Sequence, residues 1–284
     1  MKKLTEIYKY AIDRLNEANL ENAAYDAKII FETVFSVKYS DLLLHPEMSY
    51  NERLTDILDT FLLERIKGRP LQYIIGQWDF MGYTFKVGEG VLIPRPETEQ
   101  LVEYAAERLK NVPGPVIYDL CAGSGCIGLS IKKILTSARV IMVEKSDAAL
   151  YYLNMNREEF SLALETSVVK GDILKGYEAF SALPRPDVIL SNPPYVKKDE
   201  IKSLQKEVQY EPEMALDGGE DGLDFYRCLA EKWLPYINEN GFIAAECGED
   251  QGDKISAMFE PHCSRVSILN DFSNVNRIVI GDKA

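Results

Sequence analysis

Through the first 67 residues, apolar positions recur every three or four residues. Leu4, Ile7, Tyr8, Ala11 and Leu15 form one stripe, and Ala27, Ile30, Phe31, Val34 and Phe35 a second. Leu54, Ile57, Leu58, Phe61, Leu62 and Ile66 form a third. Such spacing puts the apolar side chains on one face of an α-helix. Residues 4–67 therefore read as a small antiparallel helical bundle. Gly68-Arg69-Pro70 stops the pattern. From Leu71 to Ile93 the period changes to short aromatic and β-branched runs, punctuated by Gly76, Gly82, Gly88 and Gly90. That is the signature of a hairpin-like connector. Pro94-Arg95-Pro96 closes it, and residues 97–110 return to helical spacing.

Beyond Pro113-Gly114-Pro115, short apolar runs alternate with helical patterns. Runs at 116–120, 139–143, 166–170 and 187–190 read as strands, followed by 241–245, 265–269 and 277–280. Alternation of this kind predicts a seven-stranded, mostly parallel sheet with helices on both faces. The expected fold class is α/β, a Rossmann-like domain over 96–284. It follows an N-terminal helical domain over 1–70 and a connector over 71–95.

Composition narrows the function. With 284 residues the chain can bury one large core or two. Its net charge is −13, divided as −3 over residues 1–85 and −10 beyond them. Neither part has the basic excess that neutralises a phosphate backbone, so no direct nucleic-acid partner is expected, although a local basic patch is compatible with that charge. Cys121, Cys126, Cys228, Cys247 and Cys263 are odd in number and form no CxxC pair, which points to reduced thiols in a reducing compartment. His45 and His262 match no zinc spacing, so no metal is expected. No apolar run is long enough to span a bilayer, and Glu6 and Asp13 interrupt any secretion-signal pattern. A cytoplasmic protein, without a membrane partner and acting as a monomer, is the expectation.

Candidate chemistry sits at the predicted strand ends. Asp119-Leu120-Cys121-Ala122-Gly123-Ser124-Gly125 follows the first sheet strand and opens a helix. Glycine there lets the backbone turn sharply and approach a ligand. Gly123, Gly125 and Gly128 also fit G-x-G-x-x-G, a weak signal that invites a dinucleotide reading. Glu144, 19 residues beyond Gly125 at the end of the second strand, can accept from both hydroxyls of a ribose. Asp172, after Gly171 at the third strand end, either accepts from the exocyclic amine of an adenine or caps the following turn.

The fourth strand ends in Asn192-Pro193-Pro194-Tyr195. Two prolines cannot continue a sheet, so the chain leaves it as a stiff exit that presents an amide and an aromatic ring. A nicotinamide enzyme has no evident use for this motif, whereas an amino-methyltransferase does. Asn192 can accept from a substrate –NH₂ through its side-chain oxygen, and the Pro193 carbonyl can accept the second N–H. Tyr195 can pack on the planar group. In-line methyl transfer then depends mainly on alignment and on polarising the N–H groups.

Further segments extend the pattern. They are Gly68-Arg69-Pro70-Leu71-Gln72-Tyr73, Ile93-Pro94-Arg95-Pro96-Glu97-Thr98-Glu99, and Tyr210-Glu211-Pro212-Glu213-Met214-Ala215-Leu216-Asp217-Gly218-Gly219. With the glycine loop and Asn192–Tyr195, they resemble the HemK/PrmC family of release-factor glutamine N5-methyltransferases over nearly the whole chain. The resemblance implies S-adenosylmethionine as donor, S-adenosylhomocysteine as product and no metal. It implies that Cys121, Ala122, Gly123, Ser124, Gly125 and Glu144 bind the donor, with Asp172 and Ile173 lining its adenine. It also implies that Asn192, Pro193, Pro194 and Tyr195 hold the glutamine of a Gly-Gly-Gln motif in a class I peptide release factor, Asn192 also touching the donor. The helical domain would dock the release factor. Cys121 and Ala122 depart from the family's usual Gly and Thr, and Glu144 stands where Asp is common. Donor binding is expected to survive both changes.

The runner-up function is a nucleic-acid amino-methyltransferase acting on adenine or guanine, since such enzymes share Asn-Pro-Pro-Tyr. A non-catalytic nucleoside-binding adaptor is a more distant reading. The run Asp217-Gly218-Gly219-Glu220-Asp221-Gly222 fails the calcium-loop pattern and reads as an acidic loop near the substrate mouth. Trp78, Phe80 and Tyr83 read as packing residues.

Overall fold

Helix α1 (Leu4–Glu17) buries Leu4, Ile7, Ala11 and Leu15, and α2 (Ala23–Phe35) buries Ala27, Ile30, Phe31 and Phe35, the positions that the spacing selects. The computed structural model describes residues 3–50, 53–271 and 273–284. A short α3 (Tyr39–Leu44) follows, and then α4 (Arg53–Ile66). Here the stripe is corrected. Leu58 and Leu62 are buried, but Ile57 is 45% exposed and Arg65 completes the buried face. The cause is charge. Arg65 Nε donates to Oδ2 of the buried Asp26 at 2.6 Å, and its Nη2 donates to Glu207. A carboxylate withdrawn from water needs such a partner, so the helix turns its arginine inward.

Residues expected in the connector divide differently. Leu71–Ile75 form helix α5, closed by Gly76 at φ 73°. This helical unit runs to Gly76 and also takes in Gln205–Tyr210; the other comprises Gln77–Leu204 and Glu211–Ala284. The antiparallel hairpin of β1 (Gln77–Phe80) and β2 (Tyr83–Lys86) belongs to the second unit. It does so because Phe80 and Phe85 enter the sheet core with Leu101 and Val102, while Asn156 accepts from Lys86 N. Trp78 packs with Val87, Val91 and Ala149.

In the second unit, α6 (Pro96–Leu109) leads to β3 (Val116–Leu120), α7 (Cys126–Ile134), β4 (Arg139–Glu144), α8 (Asp147–Glu159) and β5 (Thr166–Lys170). The chain then returns to β6 (Val188–Ser191), α9 (Asp224–Lys232), β7 (Phe242–Glu246), α10 (Gly252–Phe259), β8 (Arg265–Asn270) and β9 (Asn276–Asp282). The sheet order is β5-β4-β3-β6-β7-β9-β8. Strands β3 to β7 are parallel, and β9 runs antiparallel to both β7 and β8. One face is covered by α6, α7 and α8 through Leu101, Leu129 and Leu153, and the other by α9 and α10 through Tyr226, Leu229, Ile255 and Phe259. Both faces being covered explains why the parallel strands read as continuous apolar runs.

The winding fixes where a ligand can bind. From β3 the chain steps outward to β4 and β5, then crosses back to β6 on the other side of β3. The loops after β3 and β6 therefore diverge, leaving a crevice at the carboxyl ends of the strands. Leu120 and Ser191 are register partners, so the segments Cys121–Gly125 and Asn192–Tyr195 start side by side.

Candidate active site

The loop after β3 takes three left-handed residues within five positions: Cys121 at φ 62°, Gly123 at 55° and Gly125 at 81°. Glycine adopts that conformation freely, whereas a residue with a Cβ is strained there. Cys121 thus accepts a strained backbone at the position where the resemblance leads one to expect glycine. Gly125 is the N-cap of α7. The third glycine of the pattern acts through packing, because a Cβ at Gly128 would lie 2.7 Å from Met142 Cγ and 2.9 Å from Asp119 Oδ2. Gly128 N donates to that same Asp119 oxygen at 2.8 Å. Burial raises the Asp119 carboxyl to about 7, against the Gly128 N–H.

Glu144 ends β4 beside this loop. Its Oε2 accepts from Gly123 N at 2.8 Å, and its Oε1 accepts from Lys145 N and Ser146 N at 2.8 and 2.7 Å. A carboxylate offers about four acceptor positions, so three are met by backbone and one is left for a ribose hydroxyl. Accepting from both hydroxyls of a ribose requires one of these backbone bonds to be shared or displaced. Across the loop, Asn156 is fully buried and donates to Ser124 O at 2.9 Å and Lys86 O at 3.1 Å, clipping the hairpin to the glycine loop.

Asp172 does cap the turn, since its Oδ1 accepts from Leu174 N at 3.0 Å. Its Oδ2 pairs with Lys145 Nζ at 2.9 Å. Burial alone would raise this carboxyl, but Lys145 and the Leu174 N–H outweigh it and hold the group below its usual range. Ile173 is buried next to it.

One cleft of about 280 Å³ collects most of these groups. Cys121, Ala122, Gly123, Ser124, Glu144, Asp172, Ile173, Asn192 and Pro194 all line it. Val91, Ala148 and Ala149 supply apolar wall, and Gly123 presents an open cradle in which an added Cβ would meet nothing closer than 3.9 Å. Apolar walls, a glycine cradle and an acidic group with one open acceptor fit an adenosyl group carrying a small charged chain. The cleft thiols are not nucleophiles. Burial raises Cys121 well above its ordinary value and Cys126 to about 12, so both stay protonated.

Gly125 and Pro193 do not line this cleft, and Pro193 is buried. Tyr195 lines a small adjoining pocket of about 40 Å³ together with Asn192, Leu92 and Arg95. Burial raises its hydroxyl to about 12, so it stays neutral. Asn192 Nδ2 donates to Thr98 Oγ1 at 3.2 Å, and Thr98 Oγ1 donates to Glu246 Oε2 at 2.6 Å.

Several of these partners escape sequence reasoning. Thr98 lies inside the Ile93–Glu99 motif, but nothing local ties it to Asn192, and Glu246 and Gln251 carry no motif at all. Gln251 Nε2 donates to Tyr195 O at 2.9 Å and to Gly222 O at 3.2 Å, clamping the exit of the Pro-Pro segment. Glu211 accepts from Ile93 N at 3.0 Å and from Arg95, which joins two of the quoted segments. The acidic loop is likewise internal support: Gly218 N donates to Val196 O at 2.8 Å, and Asp221 pairs with Arg227.

Comparison with known proteins identifies the family. Residues 6–76 match the family model described as the PrmC N-terminal domain, and residues 98–219 match the methyltransferase small domain. The release factor glutamine methyltransferase of Clostridium acetobutylicum is 33% identical over 98% of each chain. That of Aquifex aeolicus is 31% identical, covering 100% of this chain and 99% of its own. Among solved structures, the hMettl16 catalytic domain in complex with an RNA hairpin superposes with a TM-score of 0.56 at 13% identity, over 82% of this chain and 83% of that one, a likeness of fold alone. With relatives of that identity matched end to end, this chain belongs to the release factor glutamine methyltransferase family.

Proposed function

We propose that this enzyme methylates the side-chain amide nitrogen of the glutamine in the Gly-Gly-Gln motif of class I peptide release factors. The observation that carries the reading is the convergence of the glycine loop, Glu144 and Asn192 on one cleft at the strand-order switch. S-adenosylmethionine supplies an electrophilic methyl: the N–C bond forms as the C–S bond breaks, S-adenosylhomocysteine is left, and the amide gives up one proton. Cys121–Gly125 and Glu144 would hold the donor, Asp172 and Ile173 its adenine. Asn192 Oδ1 and the Pro193 carbonyl would accept the two N–H bonds of the substrate amide.

A carboxamide nitrogen is a poor nucleophile because its lone pair is delocalised. Accepting both N–H bonds polarises the group, and fixing its plane turns a bimolecular encounter into an aligned one. Tyr195, neutral and largely buried, suits packing on that plane rather than proton transfer. A substrate that works in translation termination implies a cytoplasmic site of action. Among the described residues, no helix is long and apolar enough to cross a membrane.

The test is incubation with labelled donor and purified release factor, followed by mass mapping. A single added methyl on the Gly-Gly-Gln glutamine is expected, and methylation of RNA or of another residue would overturn the reading. The helical unit would dock the body of the factor. Its adjacent Leu43 and Leu44 are 65% and 74% exposed and would be available to a protein surface. Leu44→Glu should lower kcat/KM on whole release factor and leave a short Gly-Gly-Gln peptide unaffected. Equal losses on both would remove the docking role.

A further inference from the structure

Asn192 is useful only in one of two orientations. Its carboxamide offers an acceptor at one end and two donors at the other, and the ends have the same shape. A substrate amide that presents N–H bonds needs the oxygen. Turned round, the same residue would aim N–H at N–H.

The hydrogen bonds behind Asn192 decide between them. Thr98 and Glu246 are each 1% exposed, so their side chains depend chiefly on protein partners. A threonine hydroxyl has one proton, and Thr98 donates it to Glu246 Oε2 at 2.6 Å. Toward Asn192 it can then offer only a lone pair, which accepts from Nδ2 at 3.2 Å. With Nδ2 committed backward, Oδ1 is the end left to the cleft. We propose that Thr98 and Glu246 are positioning residues that fix the Asn192 carboxamide with its oxygen toward the acceptor nitrogen. The assignment rests on Asn192 accepting from the substrate amide, and it adds a source of selectivity. A glutamate side chain in place of the glutamine has no N–H to donate and would meet Oδ1 oxygen to oxygen.

The direction of the chain originates in the charge on Glu246. An ionised carboxylate only accepts. A protonated one can donate to Thr98, whose proton then turns to Asn192 and reverses the amide. The groups facing Glu246 are Arg277 on β9, Arg95 and Glu97 at the start of α6, Tyr195 after β6, and Cys126 and Cys247. Tyr226 on α9 donates to the Glu246 backbone carbonyl at 2.6 Å. Burial raises the Glu246 carboxyl to about 7, against the Thr98 hydroxyl and Arg277. Both directions of the chain therefore fall within an accessible pH range, the productive one above neutrality.

The test compares Thr98→Val, Thr98→Ser, Glu246→Gln and Asn192→Ala on purified release factor, with kcat, KM and donor affinity measured for each. Thr98→Val should lower kcat roughly 10- to 100-fold, the scale of a misaligned reacting group, with donor Kd unchanged. Thr98→Ser, which keeps the hydroxyl, should restore most of that loss. Wild-type kcat should fall about tenfold per pH unit below the Glu246 transition, and Glu246→Gln should flatten the profile. Equal impairment of the Ser and Val variants, wild-type kcat in Thr98→Val, or the same inflection in Glu246→Gln would each overturn the proposal. Asn192→Ala separates the two levels. If it is inactive while Thr98→Val is intact, only the positioning role fails; if it also turns over normally, the holding role of Asn192 fails first.

Discussion

At the proposed donor end of the cleft, the polar groups are held by backbone. Glu144 is fixed by the N–H groups of Gly123, Lys145 and Ser146, and the glycine loop by its own left-handed turns. At the proposed acceptor end, the Asn192 side chain is held, among the described residues, by another side chain, through Thr98 to Glu246. The two constructions fail differently. A backbone cradle depends little on side-chain identity, so Cys121 and Ala122 are expected to be tolerated there, and damage to it should weaken binding. A side-chain relay has no redundancy, and damage to it misdirects the one group that must point correctly. Donor-end variants should therefore act on affinity, and acceptor-end variants on turnover.

The sharpest way to break that contrast is Asn192→Ala. Removing a preorganised polar group at the reacting centre costs roughly 10²- to 10³-fold in kcat. Donor Kd, measured by calorimetry, should stay within a few-fold. A variant that instead lost donor binding and kept kcat at saturation would merge the two ends into one. Next in size is Glu144→Ala, which removes a charged acceptor and releases three backbone donors. Hydrogen bonds to a charged group contribute about 1.5–3 kcal/mol, so donor Kd should rise roughly 10- to 100-fold. At saturating donor, kcat should change little. A fall in kcat as large as that of Asn192→Ala would show that the donor end also aligns the reaction.

The same difference explains what was legible in the sequence. The proposed donor-end residues each follow or end a successive strand, and their chemistry follows from strand, turn and spacing. All seven sheet strands and the placement of Cys121, Glu144 and Asp172 at one sheet edge could be read that way. Asn192 was legible because two prolines mark the strand exit. Its supports were not: Thr98 lies 94 positions away and Glu246 a further 148 from Thr98, and only the completed sheet brings them together. Arg65 misled for the same reason. Helical spacing assigns Ile57 to the buried face, and only the contact with Asp26, 39 positions away, turns the arginine inward. Periodicity reports which face of an element is apolar, not which polar group a distant element needs.

The smallest expected effect is on stability, and it follows from what the acceptor end requires. A productive relay needs Glu246 ionised in a place without water, which disfavours the folded state. Its carboxyl moves from an ordinary 4.5 to about 7 on folding, chiefly through burial. A carboxyl raised on folding contributes stability below its unfolded value and loses it as pH rises through its folded value. At 1.36 kcal/mol per unit, the contribution lost is on the order of 3 kcal/mol. Glu246→Gln removes the titration. Its Tm relative to wild type should therefore rise by a few degrees between about pH 5 and pH 8. Asp119, also raised to about 7 by burial, titrates in both proteins and cancels from the difference. Asp172 at the donor end has the opposite sign, its carboxyl held low by Lys145, so Asp172→Asn should lose stability at neutral pH relative to wild type and converge with it in acid. A Tm difference for Glu246→Gln that does not change with pH would mean that folding leaves the Glu246 carboxyl near its ordinary value, ionised throughout this range. The Asn192 amide would then keep one direction across that range, and a fall in kcat toward acid would need another origin.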